Sequence, residues 1–171
     1  MSTAQSGLNI FRNAAVRNRT SHSDFHFSDL RGMVDPRDGK MKPISVYLSI
    51  NMVDAQALNP ITAIFIELMS NFLLANKPGA IHHGQKLGPC PVLFAIDEMP
   101  KMQKLRAIIE GPDLGRGQKI SYLIIGQDLH QIQEKYGPDA AATIMSTTAA
   151  KIVMRQNDLD TADKFSKMMG Y

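Results

Sequence analysis

The sequence predicts an α/β chain, a three-layer arrangement around a mostly parallel sheet. Three observations carry this. Val92-Leu93-Phe94-Ala95-Ile96 and Ile120-Ser121-Tyr122-Leu123-Ile124-Ile125-Gly126 are short apolar runs of the kind that form strands buried on both faces of a parallel sheet. Helical patterns alternate with them, as crossovers between parallel strands require. The composition, 44% hydrophobic and 20% charged over 171 residues, is that of a folded chain of about one domain.

Residues 1–42 lack sustained periodicity and read as an irregular lead-in, with 43–171 as the folded part. Within the lead-in, Phe25, Phe27 and Leu30 are placed to pin the arm to a neighbouring surface, and Asp35-Pro36-Arg37-Asp38-Gly39 reads as a turn. Ile44-Ser45-Val46-Tyr47-Leu48-Ser49-Ile50 alternates and is β-rich, so a strand is expected. A helix is expected next, capped by Asn59 with Pro60 at its first position. Its stripe is Ile61, Ile64, Phe65, Leu68, Met69, Phe72 and Leu73, and Lys77-Pro78-Gly79 ends it. The glycine- and proline-rich stretch 79–91 reads as a loop. After the strand at 92–96, a helix is expected over 101–110, then a loop punctuated by Gly111, Gly115 and Gly117. The strand at 120–126 leads to helices at 129–136 and 140–146, split by Gly137-Pro138. A short strand is expected at 151–154, and Asp158 caps a last helix through Met169.

The net charge of +3 is unevenly spread, with seven Lys/Arg against four Asp/Glu in residues 1–42 and twelve against twelve thereafter. That excess is too mild to demand nucleic acid by itself. Cys90 is the one cysteine, which excludes an intrachain disulfide and a cysteine-based zinc site. No apolar run approaches the ~18 residues of a membrane span. The best candidate, 61–75, contains Glu67, Ser70 and Asn71. The first ten residues carry no leader signal, so a soluble cytoplasmic domain is the expectation.

The strongest chemical signal is Asp97-Glu98 directly after an apolar strand, at the C-terminal end where open parallel sheets place their ligands. In nucleoside triphosphatases this is the Walker B arrangement, in which the first carboxylate holds Mg²⁺ through water and the second polarises the attacking water. An Asp-Glu pair is also an ordinary way for a strand to return to solvent. Gln127 ends the next strand, where an amide reaches a γ-phosphate or simply caps a helix. Arg116, in Gly115-Arg116-Gly117, stands where a guanidinium stabilises transition-state charge in a neighbouring subunit, or is a solvated loop arginine. The ordered set is more telling than any member.

From Pro91 to Gly170 the chain resembles the TraG-type coupling proteins of type IV secretion and conjugation. The matching residues are Asp97-Glu98-Met99-Pro100, Gly115-Arg116, Ile124-Ile125-Gly126-Gln127-Asp128-Leu129, Tyr136-Gly137 and Asn157-Asp158-Leu159-Asp160-Thr161-Ala162. Upstream, Ser23-Asp24-Phe25, Asp29-Leu30 and Pro43-Ile44-Ser45-Val46-Tyr47-Leu48 also resemble that family, so nearly the whole chain is covered. The resemblance implies a RecA-like P-loop NTPase domain of a hexameric, inner-membrane ATPase facing the cytoplasm, which passes DNA with its relaxosome, or protein substrates, to a secretion channel. It assigns Asp97 to Mg²⁺, Glu98 to water activation, Gln127 to sensing the γ-phosphate of ATP and Arg116 to a finger reaching the next subunit. An FtsK-like translocase shares this architecture, but the runs at 97–100 and 125–129 are more similar to coupling proteins.

One departure is large. No Gly-x-x-x-x-Gly-Lys-Ser/Thr phosphate loop occurs in these residues; Gly39-Lys40-Met41 lacks both the upstream glycine and the hydroxyl. The family's membrane-spanning helices and inserted helical domain are likewise unrecognisable here. The resemblance therefore covers the C-terminal half of a motor, as a truncated reading frame would, with the central phosphate-loop strand missing between those expected at 120–126 and 151–155. Its alternative implication is a catalytically silent fragment acting as an assembly or interaction piece. Adjacent His82-His83 lacks a further placed ligand, and Arg12, Arg17 and Arg19 read as solvated charges. Lys101, Lys104 and Arg106 face either a channel or solvent.

Overall fold

The computed structural model describes residues 9–50, 55–155 and 158–170, and the chain divides into two compact units, Met1–Val92 and Leu93–Tyr171. Asn157 of the tail motif lies outside the described residues.

In the first unit, the lead-in carries more regular structure than its sequence implies. Helix α1, Ala14–Thr20, is capped by Asn13, whose side chain accepts from the Ala15 and Val16 amides. A 3-10 turn follows at Phe27–Arg31, then the hairpin of β1, Met33–Val34, and β2, Met41–Lys42. The expected turn joins its strands. Asp35 there accepts from Arg37 and Lys42, whose cations pull its carboxyl down to about 2.

The expected strand at 44–50 does not form; Tyr47 is 90% exposed there, and Val46 and Leu48 are exposed too. Alternation gives these residues the capacity for a ladder, but no partner strand lies beside them among the described residues. Helix α2, Ala55–Ala75, begins four residues before the expected cap, so Pro60 lies inside it, where it removes one backbone donor. The segment Ala57–Ala75 is long and apolar enough to cross a membrane by length and composition, a test that a core helix of a soluble protein also meets. Averaging over a helix tolerates Glu67, Ser70 and Asn71, which interrupt the plain apolar run.

One side of α2 is packed within its unit. Phe25 and Phe27 meet Phe65 with ring centroids 6.2 and 5.8 Å apart, and Phe27 also meets Phe72, so the lead-in is pinned as its sequence implies. Arg31, fully buried, donates to the carbonyls of Leu73 and Asn76 at the end of α2 and to that of Cys90. A cation over the last carbonyls of a helix meets the negative end of its dipole. The expected loop contains a small hairpin, β3, Ile81–His82, with β4, Gln85–Lys86; His83 and Gly84 both take positive φ, as its two-residue turn requires.

The second unit is built around the pairing of β5, Val92–Ile96, with β6, Ile120–Ile124. The Ile125 amide donates to the Ile96 carbonyl (2.9 Å) and the Ile125 carbonyl accepts from the Met99 amide (3.1 Å). One residue thus bonds two different residues at the same end of β5, as parallel neighbours do. The connection is right for that pairing but begins later than expected. Met99–Lys101 is a 3-10 turn, and α3 runs Arg106–Leu114 instead of 101–110. Buried Met99 and Pro100 hold the turn, and the Tyr136 hydroxyl donates to the Gln103 carbonyl in the non-helical stretch 102–105. Gly111, read as loop, is helical because α3 presses on β6 there: a Cβ at Gly111 would stand 2.4 Å from the Tyr122 ring. Tyr122 in turn stacks on Phe94, centroids 5.1 Å apart.

Burial on both faces of the two strands is not found. Phe94 and Ile96 are buried, whereas Leu93 is 61% exposed and Leu123 and Ile125 are exposed with it. A parallel sheet hides both faces only where crossover layers cover both. Helices α4, Leu129–Tyr136, and α5, Pro138–Thr147, match the sequence reading, and α6, Leu159–Met169, is capped by Asp158, which accepts from the Thr161 amide. Residues 151–154 form no strand, and Ile152 is 84% exposed.

Three outcomes follow. Gly111→Ala should destabilise the chain by about 1–3 kcal/mol in urea unfolding through overpacking. Gly117→Ala, which meets nothing within 4 Å, should leave the midpoint nearly unchanged. Apolar strand edges that find no partner among the described residues template association, so sedimentation should show concentration-dependent self-association; a sharp two-state melt with a monomeric profile would contradict it.

Candidate functional site

The β5–β6 pairing delivers two polar side chains to one rim of the sheet. Chain leaving β5 passes through Asp97 and Glu98, and chain leaving β6 passes through Gly126 and Gln127. Gln127 Nε2 donates to Glu98 Oε1 at 2.8 Å, across 29 residues of sequence. Asp97 is exposed beside them, and its Oδ1 accepts from the Glu98 amide at 3.0 Å. Glu98 has φ 52 and ψ 41, a left-handed conformation that non-glycine residues seldom adopt. The 3-10 turn starts from it, and the Met99 amide inside that turn reaches back to Ile125. Gly126 lies against Pro100, so the two strand exits touch.

Asp128 caps α4 by accepting from the Gln131 amide at 2.7 Å. The capping role weighed for Gln127 therefore belongs to its neighbour. Gln127 turns to Glu98 instead.

The sequence leaves Lys101 to a channel or to solvent, whereas in the structure its Nζ lies 3.0 Å from Glu98 Oε2. The only sequence signal for this contact is the spacing of three residues, which on a helical turn puts two side chains on one side. Lys101 and then Gln127 stabilise the ionised carboxylate and hold Glu98 below the usual carboxylate range.

Arg116 stands apart. It is exposed on a 3-10 turn, Arg116–Gln118, that precedes β6, whereas Gln127 follows β6. Five strand residues at ~3.3 Å each separate the two ends. Within one chain the structure therefore joins Asp97, Glu98 and Gln127, and leaves Arg116 at the opposite end of the strand. Among the described residues no group of three or more His, Cys, Asp or Glu is arranged to hold a metal ion.

A model of the family described as Type IV secretory system Conjugative DNA transfer matches residues 1–171. The chain is 27% identical over 164 residues to Protein VirD4 of Rhizobium rhizogenes, which covers 96% of this chain and 22% of that protein. It is 26% identical over 178 residues to Conjugal transfer protein TraG of Escherichia coli, covering 99% of this chain and 26% of that one. The chain thus spans about a quarter of the length of these curated relatives. Among solved structures it is similar to the bacterial conjugative coupling protein TrwBdeltaN70 in its unbound form, with TM-score 0.52, 18% identity, and coverage of 73% of this chain and 26% of that one. It is also similar to the plasmid coupling protein TrwB in complex with the non-hydrolysable ATP analogue ADPNP, with TM-score 0.54, 18% identity, and coverage of 73% and 27%. These likenesses identify the fold as a partial RecA-like α/β fold.

The lowered Glu98 pKa has a definite pH consequence. Its contribution to stability is complete above the ordinary carboxylate value of 4.5 and is lost as pH falls through the depressed folded value. A ¹³C-carboxyl titration should give Glu98 a midpoint below 4.5, and Lys101→Met should raise it. An unmoved midpoint would contradict the contact.

Proposed function

The chain belongs to the Type IV secretory system conjugative DNA transfer family, and from that premise we propose that it supplies the C-terminal part, residues 43–171, of a coupling ATPase that uses ATP hydrolysis to deliver DNA or protein into a conjugation or secretion channel. The observation that carries this reading is the 2.8 Å bond between Glu98 and Gln127 at a common strand-end rim. An acid and an amide from adjacent parallel strands converge there, where open α/β sheets take ligands.

Asp97 and Glu98 suit Mg²⁺ in kind, since it binds hard oxygen and takes one or two protein carboxylates together with substrate phosphates. With no third carboxylate, histidine or cysteine grouped with them among the described residues, the ion's remaining positions fall to water and to the nucleotide's phosphates. Bound MgATP supplies the γ-phosphoryl group and neutralises charge on the leaving phosphates. Asp97 would hold the ion, with water completing its coordination. Glu98, kept ionised by its partners, orients the attacking water, and Gln127 hydrogen-bonds the γ-phosphate. Arg116, remote from its own rim, acts across an interface on the site of the next subunit of a homo-hexamer. The assembly sits on the cytoplasmic face of a bacterial inner membrane through a region outside these residues, and receives DNA with its relaxosome.

A second reading is supported by one observation: the 171 residues contain no Gly-x-x-x-x-Gly-Lys-Ser/Thr loop. Without those backbone amides and that lysine the β- and γ-phosphates lack their cradle, so by itself the chain is catalytically silent and serves as an assembly piece.

Hydrolysis assays separate the two. The chain alone should turn over no ATP, and joined to a phosphate-loop segment it should be active. Glu98→Gln should then lower kcat by about 10²–10⁴-fold. A joined protein in which Glu98→Gln keeps the parent rate would sink the catalytic reading. Arg116→Ala should also be inactive, and mixing it with Glu98→Gln subunits should restore part of the rate, because some interfaces then pair an intact glutamate with an intact arginine.

A further inference from the structure

Both oxygens of Glu98 are partnered. Oε1 accepts from Gln127 Nε2 at 2.8 Å and Oε2 lies 3.0 Å from Lys101 Nζ. Each oxygen has one such partner and keeps acceptor capacity for water, and the side chain is 39% exposed, so the two partners set the carboxylate's direction along the rim without closing it to solvent. The two grips differ in kind. Gln127 is neutral, whereas Lys101 brings a full positive charge to a pair of acids and offsets half of its −2. Its backbone is fixed, because the turn it ends rests on buried Met99 and Pro100. Its side chain is 52% exposed, so the ammonium meets Glu98 at the water boundary and not in the buried part of the turn. The left-handed backbone at Glu98 aims that carboxylate toward both partners at once.

We infer that Lys101 is a positioning residue for Glu98: an internal counter-cation that holds the carboxylate along the rim and gives way when a divalent cation reaches the Asp97–Glu98 pair. This rests on the reading of that pair as the cation end of the site. Lys101 and the incoming ion compete for the same two charges. Removing the ammonium restores the full −2, and the repulsion it exerted on a divalent ion a few ångströms away disappears. That repulsion is partly screened by water and salt, so the gain is modest.

The test uses the full 171-residue chain and Mn²⁺ alone as probe, with free Mn²⁺ counted by electron paramagnetic resonance at low salt. The rim site is the one lost in Asp97→Asn. Lys101→Met should tighten that site about 3–10-fold. Lys101→Arg, which keeps the charge, should return it to the parent affinity. Lys104→Met, which removes a charge from the same loop, should change it less than twofold (about the scatter of a screened surface charge). Equal affinity in Lys101→Met and the parent, with Asp97→Asn still abolishing the site, overturns the role of Lys101 and leaves the acid pair standing. Equal tightening by Lys101→Met and Lys104→Met also overturns it, because bulk charge then explains the effect. No Asp97-dependent Mn²⁺ in any variant overturns the acid-pair reading and this inference together.

Discussion

Two backbone hydrogen bonds at Ile125 set the geometry on which the second unit depends. Its amide takes the last carbonyl of β5, and its carbonyl takes the Met99 amide three residues farther along. Between those anchor points the chain has room for Asp97 and Glu98 only, and it makes the passage by turning left-handed at Glu98. Gln127, two residues past Ile125, then has no choice of neighbour. A slip of one residue between the strands would reverse every side chain on β6 relative to the core and turn Tyr122 away from Phe94. The register of the core and the register of the rim are one constraint, and the van der Waals contact of Gly111 with Tyr122 reinforces it from the helix side.

The parts of this arrangement that were legible in the sequence are those governed by local chemistry or by strand-end logic. Asp158 is recognisable as a cap because its carboxylate needs nothing but the next turn. Helix α4 ends at Gly137, a local signal, although its start is capped by Asp128 and not by Gln127. The meeting of Glu98 with Gln127 follows once two apolar runs are taken as parallel neighbours, since each residue sits just beyond the end of its run. What escaped was set by partners distant in sequence. Residues 44–50 and 151–154 carry strand-forming side chains, but a strand is a relation between two segments, and neither finds its second segment among the described residues. The late start of α3 depends on Met99 and Pro100 packing at the strand exits, and the helical glycine at 111 on the Tyr122 ring, neither of which is a local signal. Lys101 was visible as a charge, not as a contact.

The first unit solves a different problem. Its long helix ends in carbonyls that have no partner within the helix, and Arg31 closes that end from a segment more than forty residues upstream. The same guanidinium reaches the Cys90 carbonyl, while the Arg31 carbonyl accepts from the Cys90 amide. No carboxylate is needed to compensate the buried cation when a helix terminus supplies the negative end. Lysine is a poor substitute at such a site, having no planar fork to serve several carbonyls in fixed directions. Phe25 and Phe27 add apolar contact on the flank of the same helix, so the arm is fastened by rings at one point and by charge at another.

The uncovered face of β5 and β6 has a calorimetric consequence. Leu93, Leu123 and Ile125 are in contact with water while the chain is folded. The part of their apolar surface that melting would otherwise wet is thus hydrated beforehand. The heat-capacity increment of unfolding scales with newly wetted apolar area, and so does the denaturant dependence. Both are therefore smaller than they would be with that face covered, and the stability curve is flatter to the same degree.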